Sequence, residues 1–252
     1  MPTDIWSSLD DDIPLVPISG TLRRLTESQE QVATSHLCSN LAEQSRLEEL
    51  LEEKSKPPLP TGVEKLDYLL ATPWRYPPLQ HGSRFGRITE PSLFYGALTL
   101  ETCLAESAYY RLVLLLDMQD PPSATLRSRH TVFDANYKAS LGLRLQSEVF
   151  ADFHDALTHR SHYSATQQLG TAMLEYGIEG FEYTSARDPL SGASVALFTP
   201  TALASRKALN KSEWQCETTA AGVVFSYMGL PGRVVSFLRA QFEVDGRFPR
   251  PA

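Results

Sequence analysis

The 252-residue chain has little cysteine, and Cys38, Cys103 and Cys216 are odd in number and far apart. They form neither a disulfide framework nor a metal-ligand spacing, so a reducing compartment and a cytoplasmic site of action are expected. No CxxC, HExxH or His-rich tract is present, and no protein-held metal is expected. Gly-rich fingerprints of the GxGxxG or GxxxxGK type are absent, which argues against Rossmann or P-loop nucleotide binding. The longest apolar stretch, Leu112–Leu116, falls far short of the roughly 20 residues of a membrane span. The acidic start, Met1–Asp12, has no basic segment leading into an apolar one, and no signal peptide is read there. Positive charge is also scarce. The formal net charge is −7. Residues 1–60 hold 11 acidic and 5 basic residues, a net of −6 that leaves −1 for the rest. That balance lacks the electrostatic footprint of a nucleic-acid binder, although local arginines can still meet a small anion.

The remaining composition, 42% hydrophobic and 21% charged, is ordinary for a soluble globular protein. The length suits one large domain, or a domain plus an appendage, with a core that needs no staples. Residues 1–20 are rich in Asp and Pro and read as irregular. From Thr26 to Lys54, Ala33, Leu37, Leu41, Leu47 and Leu51 fall near one stripe of a 3.6-residue period, the pattern of one or two amphipathic helices. The Lys56-Pro57-Pro58-Leu59-Pro60 run stops them. Residues 1–70 are therefore read as an N-terminal helical extension, a plausible surface for a partner or a homodimer, or simply a stabilising cap.

Residues 71–252 form the main body. Phe85–Ile88 and Leu93–Gly96 read as short strands, and Thr99 caps a helix from Leu100 to about Met118. His130–Asp134 and Leu141–Leu145 are strand candidates, and Phe150–Thr158 is a short helix candidate. A helix from Ala165 to Tyr176 ends at Gly177. Ile178–Tyr183, Val195–Thr199 and Ala221–Met228 read as strands, and Val234–Phe242 is ambiguous. Strands joined by short turns outnumber long helices. The expected fold is α+β, a mixed, largely antiparallel sheet core with surrounding helices.

Glu106 is the most informative position. Cys103, Glu106, Tyr110 and Val113 share one helical face at spacings of three and four. A carboxylate on such a mixed stripe is either paired, for instance with Arg111, or functional. Upstream lie Arg75-Tyr76, Arg84-Phe85-Gly86-Arg87 and Phe94-Tyr95. Arginine forks match phosphate oxygens, and tyrosines can stack on a base, though any one of them alone reads better as a strand-core aromatic or a solvated arginine. Ser164-Ala165-Thr166-Gln167 fits a capping box, and the helix start that it marks is also a natural anion site.

These residues resemble the RES family in order and type. The likeness rests on Arg75-Tyr76, the loop Gly82–Gly86, Pro91 to Ala97, and Thr99 through Thr102 to Ala105-Glu106. Tyr163-Ser164 with Gln167, Gly170 and Gly180, then Thr184–Asp188 and Val195–Phe198, extend it over roughly residues 71–205. The Phe85–Thr89 segment departs from the family's Gly-Gly-Arg-Trp-Asn turn, leaving open whether Arg84 or Arg87 faces the pocket. RES proteins are similar in fold to ADP-ribosyltransferases, and characterised members are NAD-depleting toxins of toxin–antitoxin pairs. The resemblance implies phosphorolysis or hydrolysis of the nicotinamide–ribose bond of NAD, with NAD as substrate, inorganic phosphate as possible co-substrate and no cofactor. It implies Glu106, Arg75 and Ser164 as catalytic residues and Tyr76, Arg84, Arg87 and Tyr95 as NAD-binding residues. It also implies a neutralising antitoxin or immunity protein, an Xre-like helix-turn-helix protein in a toxin–antitoxin pair. Transfer of ADP-ribose to a protein or other acceptor, and a non-enzymatic interaction role, are the alternatives.

Overall fold

The structure, a computed structural model, describes residues 4–9, 13–28, 43, 46, 57–58, 61–76, 78, 80–119, 125–229 and 232–250. Its elements in chain order are β1 (Val16–Glu27), α1 (Tyr68–Arg75), β2 (Phe94–Ala97), α2 (Leu100–Asp117) and β3 (Leu126–Arg144). A single helical turn, His154–Leu157, leads to α3 (Ser164–Tyr176). Strands β4 (Gly180–Thr184), β5 (Ala193–Leu197), β6 (Leu209–Thr219), β7 (Gly222–Tyr227) and β8 (Val234–Leu238) follow. The strands form one eight-stranded sheet in the order β1-β2-β5-β4-β3-β6-β7-β8, in which only β3 and β4 run parallel. Strand β1 also pairs with β3 along its length, from Val16 against Gly142 to Glu27 against His130. That second pairing bends β1 through β5 into a closed ring, and β6, β7 and β8 extend from β3 as a flap. The α+β, largely antiparallel architecture is the expected one.

Strand β1 corrects the reading of residues 1–20 as irregular. Pro17 sits at the one register shift against β3, where a missing N–H is tolerated. Ile18 and Leu22 point into the core, and Thr21 donates to Asn136 Oδ1 at 2.9 Å. Part of the stretch assigned to an N-terminal helical extension is thus a strand of the main sheet. The amphipathic stripe between Ala33 and Leu51 lies outside the described residues. The strand expected at Phe85–Ile88 is a loop instead. Two strand candidates, His130–Asp134 and Leu141–Leu145, belong to the single long β3. Strand β6 was not expected, because its polar composition hides an alternation of buried Trp214, Cys216 and Thr218 with more exposed Glu213, Gln215 and Glu217.

Local chemistry explains the two longer helices. The Thr99 hydroxyl caps α2 by accepting from the Thr102 N–H at 3.1 Å. Leu104, Ala108 and Leu112 then pack against Trp214, Val223 and Phe225 of the flap. Gly177, left-handed at φ 90°, ends α3 as expected. A side chain at Gly170 would collide with the Phe85 carbonyl, so α3 lies directly on the loop before β2. Beneath it, Phe85, Leu169, Met173 and Phe181 share one apolar cluster. Among the described residues no helix is long and apolar enough to cross a membrane.

Candidate active site

Strand β1, the loop before β2, β2 itself, α2, and the end of β4 with the turn after it enclose a cavity of about 610 Å³. Helix α2 is fastened to the β4–β5 turn at two points one helical turn apart. Thr102 Oγ1 donates to Asp188 Oδ2 at 2.7 Å. Glu106 Oε1 accepts from Ser185 Oγ at 2.5 Å. The direction of that second bond follows from its surroundings. Ser185 Oγ already accepts the N–H groups of Arg187 at 3.1 Å and Asp188 at 3.0 Å, so its single proton is directed to the carboxylate. The other Glu106 oxygen has no hydrogen-bond partner among the described residues. No ion pair forms with Arg111, whose Nη1 lies 3.6 Å from Glu27 Oε2 instead.

Five arginines reach the wall of the same cavity; Arg23 faces Asp134 and Arg111 faces Glu27, whereas Arg24, Arg84 and Arg187 are paired with no carboxylate among the described residues. Arg24 Nη1 donates to the Tyr95 carbonyl at 2.6 Å, with its guanidinium 5.2 Å from the Phe94 ring centroid. Arg84 Nη1 donates to the carbonyls of His159 at 2.9 Å and Leu157 at 3.3 Å, and its head lies 4.9 Å from the Tyr163 ring. Arg187 Nη2 donates to the Tyr163 hydroxyl at 2.7 Å, and its guanidinium sits 3.5 Å from the Tyr109 ring centroid. Carbonyl dipoles and aromatic faces hold these cations without cancelling their charge. The described wall of the cavity thus carries five arginines against two glutamates, Glu27, which faces Arg111, and Glu106, which faces no cation.

The loop carrying Arg84 is tightly held. Gln167 Nε2 of α3 donates to the carbonyls of His81 and Ser83, each at 3.0 Å. The Tyr95 hydroxyl shares a proton with Ser83 Oγ at 2.8 Å and accepts the Phe85 N–H at 3.2 Å. Burial pushes the Tyr95 phenol and the Cys103 thiol up to about 12 each. Both therefore stay protonated at neutral pH, and Cys103 is no thiolate nucleophile. At the far end of the wall, His130 is pushed down to about 4, chiefly by burial and then by the Arg111 charge, so its ring is neutral.

The expected site residues divide into two groups. Glu106, Tyr76, Arg84 and Tyr95 line the cavity. Arg75, Arg87 and Ser164 do not line it. Arg75 closes α1 and is buried, with its Nε donating to the Pro57 carbonyl at 2.6 Å. Arg87 is exposed, and its backbone N–H is held by Glu90. Of the two loop arginines, Arg84 is thus the one that faces the pocket. Ser164 is exposed and is the first helical residue of α3. Tyr163 occupies the cap position and makes no side-chain cap bond. The capping box fails because the Gln167 side chain bonds the Gly82–Gly86 loop instead of reaching back to the helix start.

Sequence reasoning missed Arg24, Tyr183, Ser185 and Arg187. Ser185 and Arg187 stood in the quoted Thr184–Asp188 segment, whose polar residues follow a buried strand. Arg24 carried a weaker signal, a charge following the buried Ile18 and Leu22 of an unrecognised strand.

This fold and site describe an α+β domain built around an arginine-rich cavity with Glu106 on its wall. The RES domain family matches residues 59–219. The chain belongs to that family. No curated protein matches it. Among solved structures it is similar to a chain of the M. tuberculosis MbcT–MbcA toxin–antitoxin complex. Identity there is 12%, over 82% of this chain and 88% of the other, with a TM-score of 0.45.

Proposed function

We propose that this chain cleaves the nicotinamide–ribose bond of NAD. The observation that carries the reading is the charge arrangement of the cavity. Glu27 is taken up by Arg111, but Glu106 makes no ion pair and shares the cavity with Arg24, Arg84 and Arg187, which no acid neutralises among the described residues. A dinucleotide needs both signs. Its pyrophosphate is an anion for the arginine forks, whereas the ribosyl carbon becomes cationic as nicotinamide departs. The bonding pair of the C1′–N bond leaves with the nicotinamide nitrogen, and the oxocarbenium-like ribose is stabilised by Glu106. Ser185 holds the carboxylate in place, and an acceptor oxygen then bonds C1′ and loses its proton. Arg24 and Arg84 hold the pyrophosphate, and the protonated Tyr95 hydroxyl lines the nicotinamide side. A cavity of about 610 Å³ falls within the range of small-molecule sites and has room for the nicotinamide, its ribose and the pyrophosphate.

Membership of the RES family adds weight to NAD as substrate and to a toxin's role. It also supports a neutralising helix-turn-helix antitoxin of the Xre type as partner. The acceptor is phosphate in a phosphorylase and water in a glycohydrolase. The deciding experiment incubates the purified chain with NAD, with and without inorganic phosphate, and follows nicotinamide and the ribosyl product. A phosphate ester at C1′ identifies phosphorolysis, free ADP-ribose identifies hydrolysis, and labelling of an added protein identifies transfer. Absence of nicotinamide release under every acceptor condition overturns the reading.

A further inference from the structure

A second cavity of about 380 Å³ adjoins the first. Arg24, Thr26, Glu27, Thr72 and Pro73 line both, so the two meet across the end of β1 and one side of α1. Glu106 borders only the first. The rest of the second wall carries Asp67, Tyr68, Lys211 and Glu213, with Ser28 and Thr131. Its carboxylates are held in place. Glu213 accepts from Ser28 Oγ at 2.9 Å and from Thr131 Oγ1 at 2.7 Å. Asp67 Oδ1 accepts the Leu69 N–H at 3.0 Å. Beyond Arg24, the described lining of this end therefore presents three carboxylates, Glu27, Asp67 and Glu213, against one ammonium, Lys211, with Glu27 also 3.6 Å from Arg111.

Building on the NAD reading, we propose that the adenosine half of the substrate occupies this second cavity and that its acidic wall selects NAD over NADP. With the scissile ribose at Glu106 in the first cavity, the shared Arg24 falls between the halves, where the pyrophosphate lies. Ribose hydroxyls and the adenine amino group are donors, and carboxylates are acceptors only, so an unmodified adenosine is well matched. A 2′-phosphate brings an anion that accepts and cannot donate. Among the described lining residues its cations are Arg24 and Lys211, with Arg111 behind Glu27, and each carboxylate within about 8 Å opposes it by a factor of about five to ten in affinity at the partly exposed mouth.

The test compares nicotinamide release from NAD and from NADP by the full chain. Wild type is expected to favour NAD by more than about tenfold in kcat/KM. Glu27→Gln is expected to narrow the NAD-to-NADP ratio about fivefold, and Lys211→Glu to widen it by at least as much. General damage to the fold cannot move the ratio in opposite directions. Equal efficiency with both nucleotides in wild type overturns the inference, as does a ratio that neither variant shifts. Failure of the NAD reading itself looks different, because then neither nucleotide releases nicotinamide.

Discussion

Ser185→Ala removes one oxygen at the junction of catalysis and folding, and the two effects can be separated. The hydroxyl donates to Glu106 at 2.5 Å and accepts two backbone N–H groups. A hydrogen bond to a charged group contributes about 1.5–3 kcal/mol. If that bond orients the carboxylate toward the developing ribosyl cation, its loss lowers kcat about 10- to 150-fold. The effect falls on kcat more than on KM, because the positive charge exists only in the transition state. Glu106→Gln removes the charge itself and is expected to lower kcat about 100- to 1,000-fold. Ser185 acts through Glu106, so adding Ser185→Ala to Glu106→Gln lowers kcat less than about threefold further. The orphaned N–H groups of Arg187 and Asp188 cost about 1–3 kcal/mol each in stability, read from urea unfolding of the same preparations. Ser185→Thr, which keeps the oxygen, should recover part of kcat. A well-folded Ser185→Ala enzyme within twofold of wild-type kcat refutes the reasoning. So does a Ser185→Ala effect that multiplies in full onto Glu106→Gln.

Arg84→Lys should raise the KM for NAD about tenfold or more, because an ammonium cannot reach both carbonyls and still present a planar fork to phosphate; an unchanged KM removes Arg84 from the binding site. Ser164→Ala, at an exposed first-turn position outside the cavity, is expected to leave nicotinamide release within about twofold of wild type. Stability should be greatest above pH 6.5 and fall as pH drops from 6.5 towards 4, because the unfolded chain protonates His130 before the native one does. That contribution is at most about 3 kcal/mol, and His130→Gln should flatten the slope of urea midpoint against pH over that range. Gly170→Ala should destabilise by about 2 kcal/mol or more, since its methyl meets the Phe85 backbone; a melting temperature equal to wild type contradicts the packing of α3 on that loop.

What could be seen in the sequence was whatever depends on neighbours in the chain. Helix α2 carries its own cap at Thr99 and its own apolar stripe, and its face of Cys103, Glu106 and Tyr110 does line the cavity. Gly177 ends α3 for a reason contained in that one residue. Strand β1 was hidden because its pairing lies with residues 130–142, more than 100 positions away. A proline, a glycine and two adjacent arginines mask its alternation locally. Ser164 and Ser185 show the same division at the site. Ser164 matched a local motif, but a distant loop captures the Gln167 that the motif needs. Ser185 stood in the family-like Thr184–Asp188 segment without a role there, and only the docking of α2 on the β4–β5 turn brings its hydroxyl to Glu106.

The closure of β1 against both β2 and β3 means that the matched segment is not a unit that can be excised. A fragment trimmed to residues 59–219 would lack Arg24 and the strand that carries it. It would leave β3 with an open hydrogen-bonding edge running from His130 to Gly142. It would also strip β7 from the edge of β6 at Trp214 and Cys216, and β8 with it. Such a truncated chain is expected to self-associate through its bare strands before its chemistry could be assayed. Engineering of this protein should therefore place tags and fusions beyond residues 16–27 and 222–238, and keep both flanks intact.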